Sequence, residues 1–197
     1  LSQLVLAANG PQYASQGMVV SQNALASEAG AQVLREGGSA IDAAVATAFA
    51  LAVTHPTAGN IGGGGFLIHR PAKGDAQTYD FREKAPAAAY PEMWLDEAGN
   101  YDYEKHHSSH LAVGVPGTVA GLYLAWQDGG TLPWARLVAP AIALARDGFT
   151  VTHGLARSLN TTGMRRFEPY PASVAQFTKD GTPYEAGDRL VQRDLAA

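Results

Sequence analysis

One arginine in this sequence stands where its side chain could bind a negatively charged group. Residues 77–82 read as a strand in which Asp80 and Arg82 share a face, and Glu83 follows directly. A guanidinium held by a strand can bind a carboxylate through two parallel hydrogen bonds, which a flexible lysine does poorly. The alternative is a surface arginine paired with Asp80 or Glu83, and the residues alone favour that alternative.

A glycine-rich run, residues 59–65, precedes this arginine in the chain. Gly59 and Gly64 have the spacing of a phosphate-binding loop, but Gly65 and Phe66 replace the lysine and the hydroxyl residue which that loop needs. The glycine fingerprint of dinucleotide-binding folds is also incomplete. We therefore interpret the run as a packed loop beside a site, where another backbone approaches closely, in preference to a flexible turn.

Candidate nucleophiles are weak throughout the chain. Cysteine is absent, which excludes thiolate nucleophiles, thiolate metal sites and disulfides. No serine has the G-x-S-x-G surroundings of a nucleophile elbow. Thr161 and Thr162 are adjacent, but a threonine that is activated by its own amine must be the first residue of a chain, so we expect a loop there. The sequence predicts no catalytic residue in this chain.

A local histidine cluster is formed by His106, His107 and His110. His106 and His110 could share a helical face, but no apolar periodicity supports a helix and no carboxylate lies at ligand spacing. We interpret the cluster as a solvated loop in preference to a metal site. We predict no metal and no cofactor.

The composition is that of one soluble globular domain: 197 residues, 46% hydrophobic and 16% charged. The net charge of −4 gives little support to nucleic-acid binding, which depends on clustered lysine and arginine. The most apolar segment, residues 40–53, is too short to span a bilayer and carries Asp42, so we expect no membrane insertion. Residues 1–8 look like a processed or trimmed end and not like a signal peptide.

Two helices are predicted early in the chain. Asn23 caps the first, and a glycine pair ends it. Ser39 caps the second, over residues 40–53, and Asp42 completes a capping-box pair with it. Pro56 prevents the second helix from continuing. Because this helix is apolar nearly all round, we expect it to be covered on all sides.

The other predicted elements are strands, loops and further helices. In chain order they are a buried strand over residues 18–20, strands over 66–69 and 77–82 around a turn at 73–75, a polar loop over 86–110, helices over 117–127 and 133–146, a short helix over 155–160, and a hairpin-like segment over 179–190. Residues 194–197 look like the opening of a helix. We interpret residues 1–197 as a single incomplete domain, in which residues 1–17 form a poorly assigned N-terminal extension.

Several segments, in order and with matching gaps, resemble the large subunit of γ-glutamyltransferases. They are residues 36–44 (EGGSAIDAA), 54–66 (THPTAGNIGGGGF), 80–86 (DFREKAP), 114–121 (GVPGTVAG) and 144–149 (LARDGF). The resemblance extends from about residue 18 to the end of the chain, and it is dense as far as Phe149. We take the chain to be the N-terminal portion of such a large subunit.

The resemblance implies a fold and an activity. The fold is of the α/β (α+β) class, part of the αββα sandwich of an N-terminal-nucleophile hydrolase that a small subunit completes after a zymogen cleaves itself. The activity is γ-glutamyl transfer and hydrolysis, with glutathione the expected donor, through a threonine at the start of the small subunit. Arg82 matches the family arginine that binds the α-carboxylate of the γ-glutamyl group. The location implied is periplasmic or secreted.

The same motifs leave alternatives open. Relatives such as cephalosporin (glutaryl) acylases and oxamate amidohydrolases cleave other amides, and Arg82 alone does not separate them. A catalytically inactive, binding-only homologue is a further alternative. Without its partner the chain should be inactive. It should also expose a large apolar patch, because we expect the helix over residues 40–53 to need cover that the chain does not supply.

Overall fold

The computed structural model describes residues 11–197, except for the side chains of residues 162–165. Its elements are α1 (Ala24–Arg35), α2 (Ala40–Thr54), β1 (Phe66–His69), β2 (Gln77–Asp80), α3 (Tyr103–His107), α4 (Thr118–Gly129), α5 (Trp134–Asp147), β3 (Phe149–Thr150), α6 (His153–Ser158), α7 (Met164–Phe167), α8 (Pro171–Phe177), β4 (Arg189–Leu190) and α9 (Arg193–Ala196). Short 3₁₀ helices span Pro91–Trp94 and His110–Ala112, and a π-helical turn spans Leu159–Gly163. The prediction for residues 1–8 lies outside the described residues.

The first two helices begin where their capping residues predict. Oδ1 of Asn23 accepts a hydrogen bond from the backbone N–H of Leu25 at 2.9 Å. Past α1, Gly37 adopts a φ of +86°, which a side chain would disfavour. Ser39 and Asp42 form the predicted capping box at the start of α2.

Helix α2 is the centre of the core. α1, α4 and α5 all pack against it, and most of its residues are buried. The prediction that α2 is covered on all sides holds for most of the helix but not for one stripe, in which Ala40 and Ala44 are exposed and Ala48 and Leu51 are half-buried. The expectation that the chain does not supply this cover is wrong for the buried faces. Its neighbours lie within the described residues because the predicted amphipathic helices turn their apolar faces toward it.

Exposed apolar side chains lie instead on the β1–β2 hairpin. The hairpin is antiparallel and pairs Phe66 with Asp80 and His69 with Gln77. Side chains alternate between its two faces, so Phe66 and Ile68 point the same way. They are 62% and 72% exposed. On the opposite face Tyr79 is buried in the core.

Residues 18–20 are not the buried strand that the sequence predicts. Met18 and Val20 are largely exposed, and Val19 alone packs against the core. A strand needs a neighbouring backbone to satisfy its N–H and C=O groups, and none of the described strands pairs with these residues. The apolar pattern therefore predicts a strand for which the described residues provide no partner.

The later part of the chain also departs from prediction. The polar loop over 86–110 contains a 3₁₀ helix and α3. The short helix begins at His153, where the Thr152 hydroxyl caps it, and not at residue 155. In the segment 179–190 a tight turn forms, with positive φ at Asp180 and Gly181, but β4 pairs with β3 instead of completing a hairpin. Local pairing is limited to Lys179 with Thr182 at the turn, and the end of the segment pairs with β3 instead.

No helix among the described residues is long and apolar enough to cross a bilayer.

Candidate functional site

Arg82 lies two residues beyond the last residue of β2. Its side chain is 68% exposed, and its Nε is 4.0 Å from Oε1 of Glu83. In the described part of the chain, no other carboxylate comes this close to the guanidinium. Asp80 does not pair with the guanidinium; its Oδ1 accepts the backbone N–H of Arg82 at 3.1 Å. The guanidinium is thus accessible to a ligand, while its backbone is fixed by a neighbouring side chain.

Phe81 holds the chain on the N-terminal side of Arg82. Its backbone N–H donates to the carbonyl of Gly65 at 3.1 Å, and its carbonyl accepts from the N–H of Gly65 at 3.4 Å. These bonds extend the β1–β2 pairing past its last regular residues. The ring of Phe81 is half-buried and packs against the core.

Glycines surround the same segment so closely that side chains would not fit. A Cβ on Gly117 would lie 2.0 Å from the carbonyl oxygen of Phe81, and one on Gly121 would lie 2.1 Å from its Cγ. A Cβ on Gly64 would lie 2.4 Å from the backbone nitrogen of Glu83. These glycines permit close backbone approach, which is the role that the sequence predicted for the run.

The glycine-rich loop is tied to the start of α4. The carbonyl of Gly63 accepts the N–H groups of Gly117 and Thr118, at 2.8 and 3.1 Å. Oδ1 of Asn60 accepts from the Thr118 hydroxyl at 2.6 Å and from the Gly63 N–H at 3.0 Å. The loop is therefore packed, as predicted, and it packs beside Arg82.

A groove of about 360 Å³ continues from this segment, with Glu83, Lys84 and Gly114 on its walls. A larger cavity of about 770 Å³ lies elsewhere, between the start of α1 and β3. We place the candidate site at Arg82 and not at the larger cavity, because the accessible guanidinium and the glycine-lined backbone converge at Arg82.

The histidine cluster lies in helical segments and not in the predicted loop, although His107 and His110 are exposed, as predicted. Nδ1 of His106 lies 2.5 Å from the Tyr101 hydroxyl, and that of His107 lies 3.3 Å from it. The ring of His107 stacks on Tyr103 at 4.0 Å between centroids. His110 is separate and contacts the ring of Tyr170. His106 and His107 thus lie in α3 among aromatic neighbours, which periodicity does not reveal, and His110 begins the following 3₁₀ helix.

Neither a metal site nor a nucleophile emerges from the other predicted candidates. Among the described residues no group of three or more histidine, cysteine, aspartate or glutamate side chains is placed to hold a metal ion. The Thr161 hydroxyl donates to the carbonyl of Arg157 at 2.7 Å inside the π-helical turn, which replaces the predicted loop. The side chain of Thr162 lies outside the described residues.

The sequence profile of the family described as Gamma-glutamyltranspeptidase matches residues 26–197. The chain belongs to this family. It is 52% identical over 186 residues to a glutathione hydrolase proenzyme of Escherichia coli (strain K12). The aligned region covers 94% of this chain and 32% of that protein. To a glutathione hydrolase proenzyme of Bacillus subtilis (strain 168) it is 43% identical, over 91% of this chain and 31% of that protein. The chain spans about a third of the length of these curated relatives.

Solved structures show the same relationship. A γ-glutamyltranspeptidase of Helicobacter pylori superposes with a TM-score of 0.91 at 46% identity, covering 95% of this chain and 54% of that one. A cephalosporin acylase of Bacillus halodurans superposes with a TM-score of 0.83 at 28% identity, covering 99% of this chain and 37% of that one. These neighbours are N-terminal-nucleophile hydrolases, and the mixed α/β class that the sequence predicts is confirmed.

The residues that approach Phe81, next to Arg82, are not evident from the sequence. Gly117 and Gly121 lie in a segment that carried the family resemblance, but nothing in their spacing says that they touch Phe81. In the sequence they are only small residues near the start of the helix predicted over residues 117–127. Contacts between residues far apart in the chain are not encoded in local periodicity.

Proposed function

We propose that this chain is the N-terminal part of the large subunit of a γ-glutamyltransferase, an enzyme that transfers and hydrolyses the γ-glutamyl group of glutathione and related amides. The observation that carries the proposal is the accessible guanidinium of Arg82 in a segment of a γ-glutamyltranspeptidase-family chain. The relatives named glutathione hydrolase proenzyme support the reaction class. In this proposal the nucleophile belongs to another subunit, so we expect the chain alone to be inactive.

In this proposal the nucleophile is the threonine that begins a small subunit cut from the same precursor. Its hydroxyl oxygen attacks the carbonyl carbon of the γ-amide, while its own α-amine takes the hydroxyl proton and returns it to the leaving amine. The C–N bond breaks and a threonine ester of the γ-glutamyl group forms. Water or an acceptor amine then attacks this ester and frees the threonine.

Arg82 binds the α-carboxylate of the donor in this scheme. A guanidinium presents two N–H groups in a planar fork that matches a carboxylate, and such charge-assisted pairs are among the stronger hydrogen bonds in proteins. The nearest described carboxylate, that of Glu83, is 4.0 Å away, which leaves the fork available. The pair would fix the donor so that its γ-carbonyl meets the threonine.

The other assignments rest on family membership. We propose that residues 1–197 belong to a single domain, with residues 1–17 as its N-terminal extension, and that the small subunit completes its αββα sandwich. We also propose that the precursor cleaves itself, that the product is a heterodimer, and that it works in the periplasm or outside the cell without inserting into a membrane. Detection of both subunits in a periplasmic or secreted fraction tests these points together.

The same-class rival is an acylase with another acyl group. The lower identity to the cephalosporin acylase, 28% against 46% to the γ-glutamyltranspeptidase structure, favours the γ-glutamyl donor. The rival of another class is an inactive homologue that only binds. A threonine at a cleavage site in the small-subunit sequence would favour an enzyme, and its absence would favour the binding protein.

The experiment uses the complete two-subunit enzyme and two donors. One is a γ-glutamyl anilide, and the other is the same anilide with its α-carboxylate converted to a carboxamide. Arg82→Ala should lower kcat/KM for the carboxylate donor by roughly 100-fold or more and should change the carboxamide donor far less. Arg82→Lys should recover part of the loss, because an ammonium keeps the charge but loses the fork.

The matched control is Arg35→Ala. Arg35 is also exposed, at 54% of its side chain, but it pairs with Glu28 on α1. Its removal should leave both donors unchanged. Precursor cleavage should persist in Arg82→Ala, since cleavage does not use the donor carboxylate. Equal losses on the two donors in Arg82→Ala would return Arg82 to the role of a surface residue.

A further inference from the structure

The side chain of Arg82 has little support of its own. It is largely exposed, and its guanidinium contact with Glu83 is long, at 4.0 Å. The direction in which it leaves the chain is therefore set by the backbone of residues 81–83. That backbone lies past Asp80, the last residue of β2, and is paired through Phe81 with Gly65 before Arg82 and through Lys84 with Val115 after it.

Of these contacts, those of Phe81 lie directly before Arg82 and also involve a side chain. Its backbone bonds to Gly65 on one side, and its ring meets α4 on the other. At Gly121, on the first turns of α4, an added Cβ would lie 2.1 Å from Cγ, 2.2 Å from Cβ and 2.3 Å from Cδ1 of Phe81. These distances are far inside van der Waals contact, so no side chain fits there while the ring stays in place.

We infer that Phe81 is a positioning residue for Arg82, and that the bare Cα of Gly121 sets the depth to which the ring of Phe81 sinks against α4. This inference rests on the proposed role of Arg82. Any atom added at Gly121 pushes the ring outward, and the ring carries the backbone of the next residue with it. The guanidinium fork then moves relative to the threonine that must attack the same donor.

A displaced guanidinium should slow only the donor with an α-carboxylate, because both of its hydrogen bonds to that carboxylate depend on alignment. A displacement of about 1 Å in a catalytic or positioning group can cost on the order of 100-fold in rate. A donor without the α-carboxylate makes no use of the fork and should not sense the displacement. Selectivity between the two donors therefore separates positioning from a general loss of structure.

The test introduces Gly121→Ala into the complete two-subunit enzyme and measures kcat and KM for the γ-glutamyl anilide and its α-carboxamide analogue. We expect about a 10- to 100-fold loss of kcat/KM on the carboxylate donor and less than about a threefold loss on the carboxamide donor. In the Arg82→Ala background, Gly121→Ala should add no further selective loss, because the fork is already absent.

Two helical glycines provide matched controls. Gly30→Ala in α1 is equally crowded, since its Cβ would lie 2.2 Å from Oγ1 of Thr47, but it lies against α2. It should destabilise the protein and leave the ratio of the two donors at the wild-type value. Gly154→Ala in α6 meets its nearest atom, Oγ1 of Thr152, at 3.9 Å and should change neither stability nor donor ratio appreciably.

A second variant keeps the test informative if Gly121→Ala does not fold. Phe81→Leu adds no atom to the interface but removes the ring that α4 supports, and it should reproduce a selective loss on the carboxylate donor. In the Gly121→Ala background, Phe81→Leu should not restore the donor ratio, because leucine keeps the Cβ, Cγ and Cδ1 positions that the added methyl group would meet.

The results distinguish this inference from the proposed function. If Arg82→Ala is selective but Gly121→Ala and Phe81→Leu lower both donors equally, positioning by Phe81 is overturned and the role of Arg82 stands. If Arg82→Ala is itself unselective, the proposed role fails and the inference fails with it. Selective loss in Gly121→Ala that matches Gly30→Ala would also overturn the inference.

Discussion

Helix α2 and strand β1 are both apolar in sequence, yet they have opposite surroundings. Ile41 in α2 is 2% exposed, whereas Ile68 in β1 is 72% exposed. The helix is covered within the chain by α1, α4 and α5. The strand is covered on the face of Tyr79 alone. An apolar pattern therefore shows that a surface is suited to burial, but it does not show which chain buries it.

The difference separates two kinds of stability in this molecule. The contacts of α2 are made within the described residues, so substitutions there should act on folding of the chain itself. The outward face of β1 makes few contacts, so substitutions there should act on association and hardly on folding.

Asp42→Ala should have the largest effect. Asp42 is fully buried and accepts hydrogen bonds from the backbone N–H of Ser39 at 2.8 Å and from the hydroxyl of Thr131 at 2.6 Å. It also accepts the N–H groups of Thr131 and Leu132. Alanine leaves these donors without a partner, so we expect a loss of about 3 kcal/mol in the free energy of unfolding, measured in urea.

Asp147→Ala is the control for Asp42→Ala. Its carboxylate is also paired, with Arg146, but on the surface. Exposed pairs contribute little, so the change should be within about 0.5 kcal/mol. A loss at Asp42 no larger than that at Asp147 would mean that α2 does not depend on its buried cap.

Gly30→Ala should have the next largest effect. Gly30 brings α1 against α2, and an added Cβ would lie 2.2 Å from Oγ1 of Thr47 and 2.9 Å from the carbonyl oxygen of Ala43. Because the Thr47 hydroxyl donates to that carbonyl at 2.7 Å, a methyl group would displace a buried hydrogen bond as well as overpack the contact. We expect a loss of about 2 kcal/mol by thermal or urea unfolding.

Gly154→Ala is the control for Gly30→Ala, because a Cβ at Gly154 has space around it. An unchanged midpoint for Gly30→Ala, with a similarly unchanged Gly154→Ala, would show that α1 and α2 can separate without loss, contrary to the packing described.

Acidification should weaken the same region. Burial by itself raises the pKa of Asp42, but hydrogen bonds from Thr131, Ser39 and Leu132 outweigh it and leave the pKa below the ordinary aspartate value. A carboxyl with a lowered folded-state pKa stabilises the fold above its unfolded pKa of about 3.9. That contribution is lost as the pH falls through the folded pKa.

The measurement compares wild type with Asp42→Asn in urea at a series of pH values. The difference between their free energies of unfolding should be constant at neutral pH and should shrink below about pH 4, where the Asp42 carboxylate of the unfolded chain takes up a proton while that of the folded protein stays charged. A difference that stays the same at every pH would indicate that the charge of Asp42 contributes nothing.

Sequence reasoning succeeded where the signal is local. Asn23, Ser39 and Asp42 cap helices through backbone groups two or three residues away, and Pro56 cannot continue a helix, so these boundaries follow from neighbouring residues. The prediction of a strand over residues 18–20 failed because a strand needs a partner strand, and that partner can be far away in the sequence. Periodicity shows that a segment has an apolar face or the pattern of a strand, but it does not show which residues cover that face or pair with that strand.

The candidate site shows the same division. Arg82 was singled out from its strand position, and the family resemblance then gave it a role, but the residues alone favoured a surface ion pair. The structure separates it from Asp80 and leaves a long contact with Glu83. Its support by Phe81 and Gly121 joins residues forty positions apart in the chain. Such a contact leaves no local trace in the sequence.

Ile68→Thr should have the smallest effect on folding and the clearest effect on the exposed face of β1. Threonine keeps the β-branched shape that suits a strand, and the side chain it replaces is mostly in water. We expect a change within about 0.5 kcal/mol in the free energy of unfolding of the 197-residue chain, and weaker fluorescence from a bound hydrophobic dye.

Ile41→Thr, the same substitution in α2, should cost about 2 kcal/mol, because it removes buried apolar volume and buries a hydroxyl. Equal losses at the two isoleucines would remove the contrast between helix and hairpin. Unchanged dye binding in Ile68→Thr would mean that the apolar face of the chain lies elsewhere than on β1.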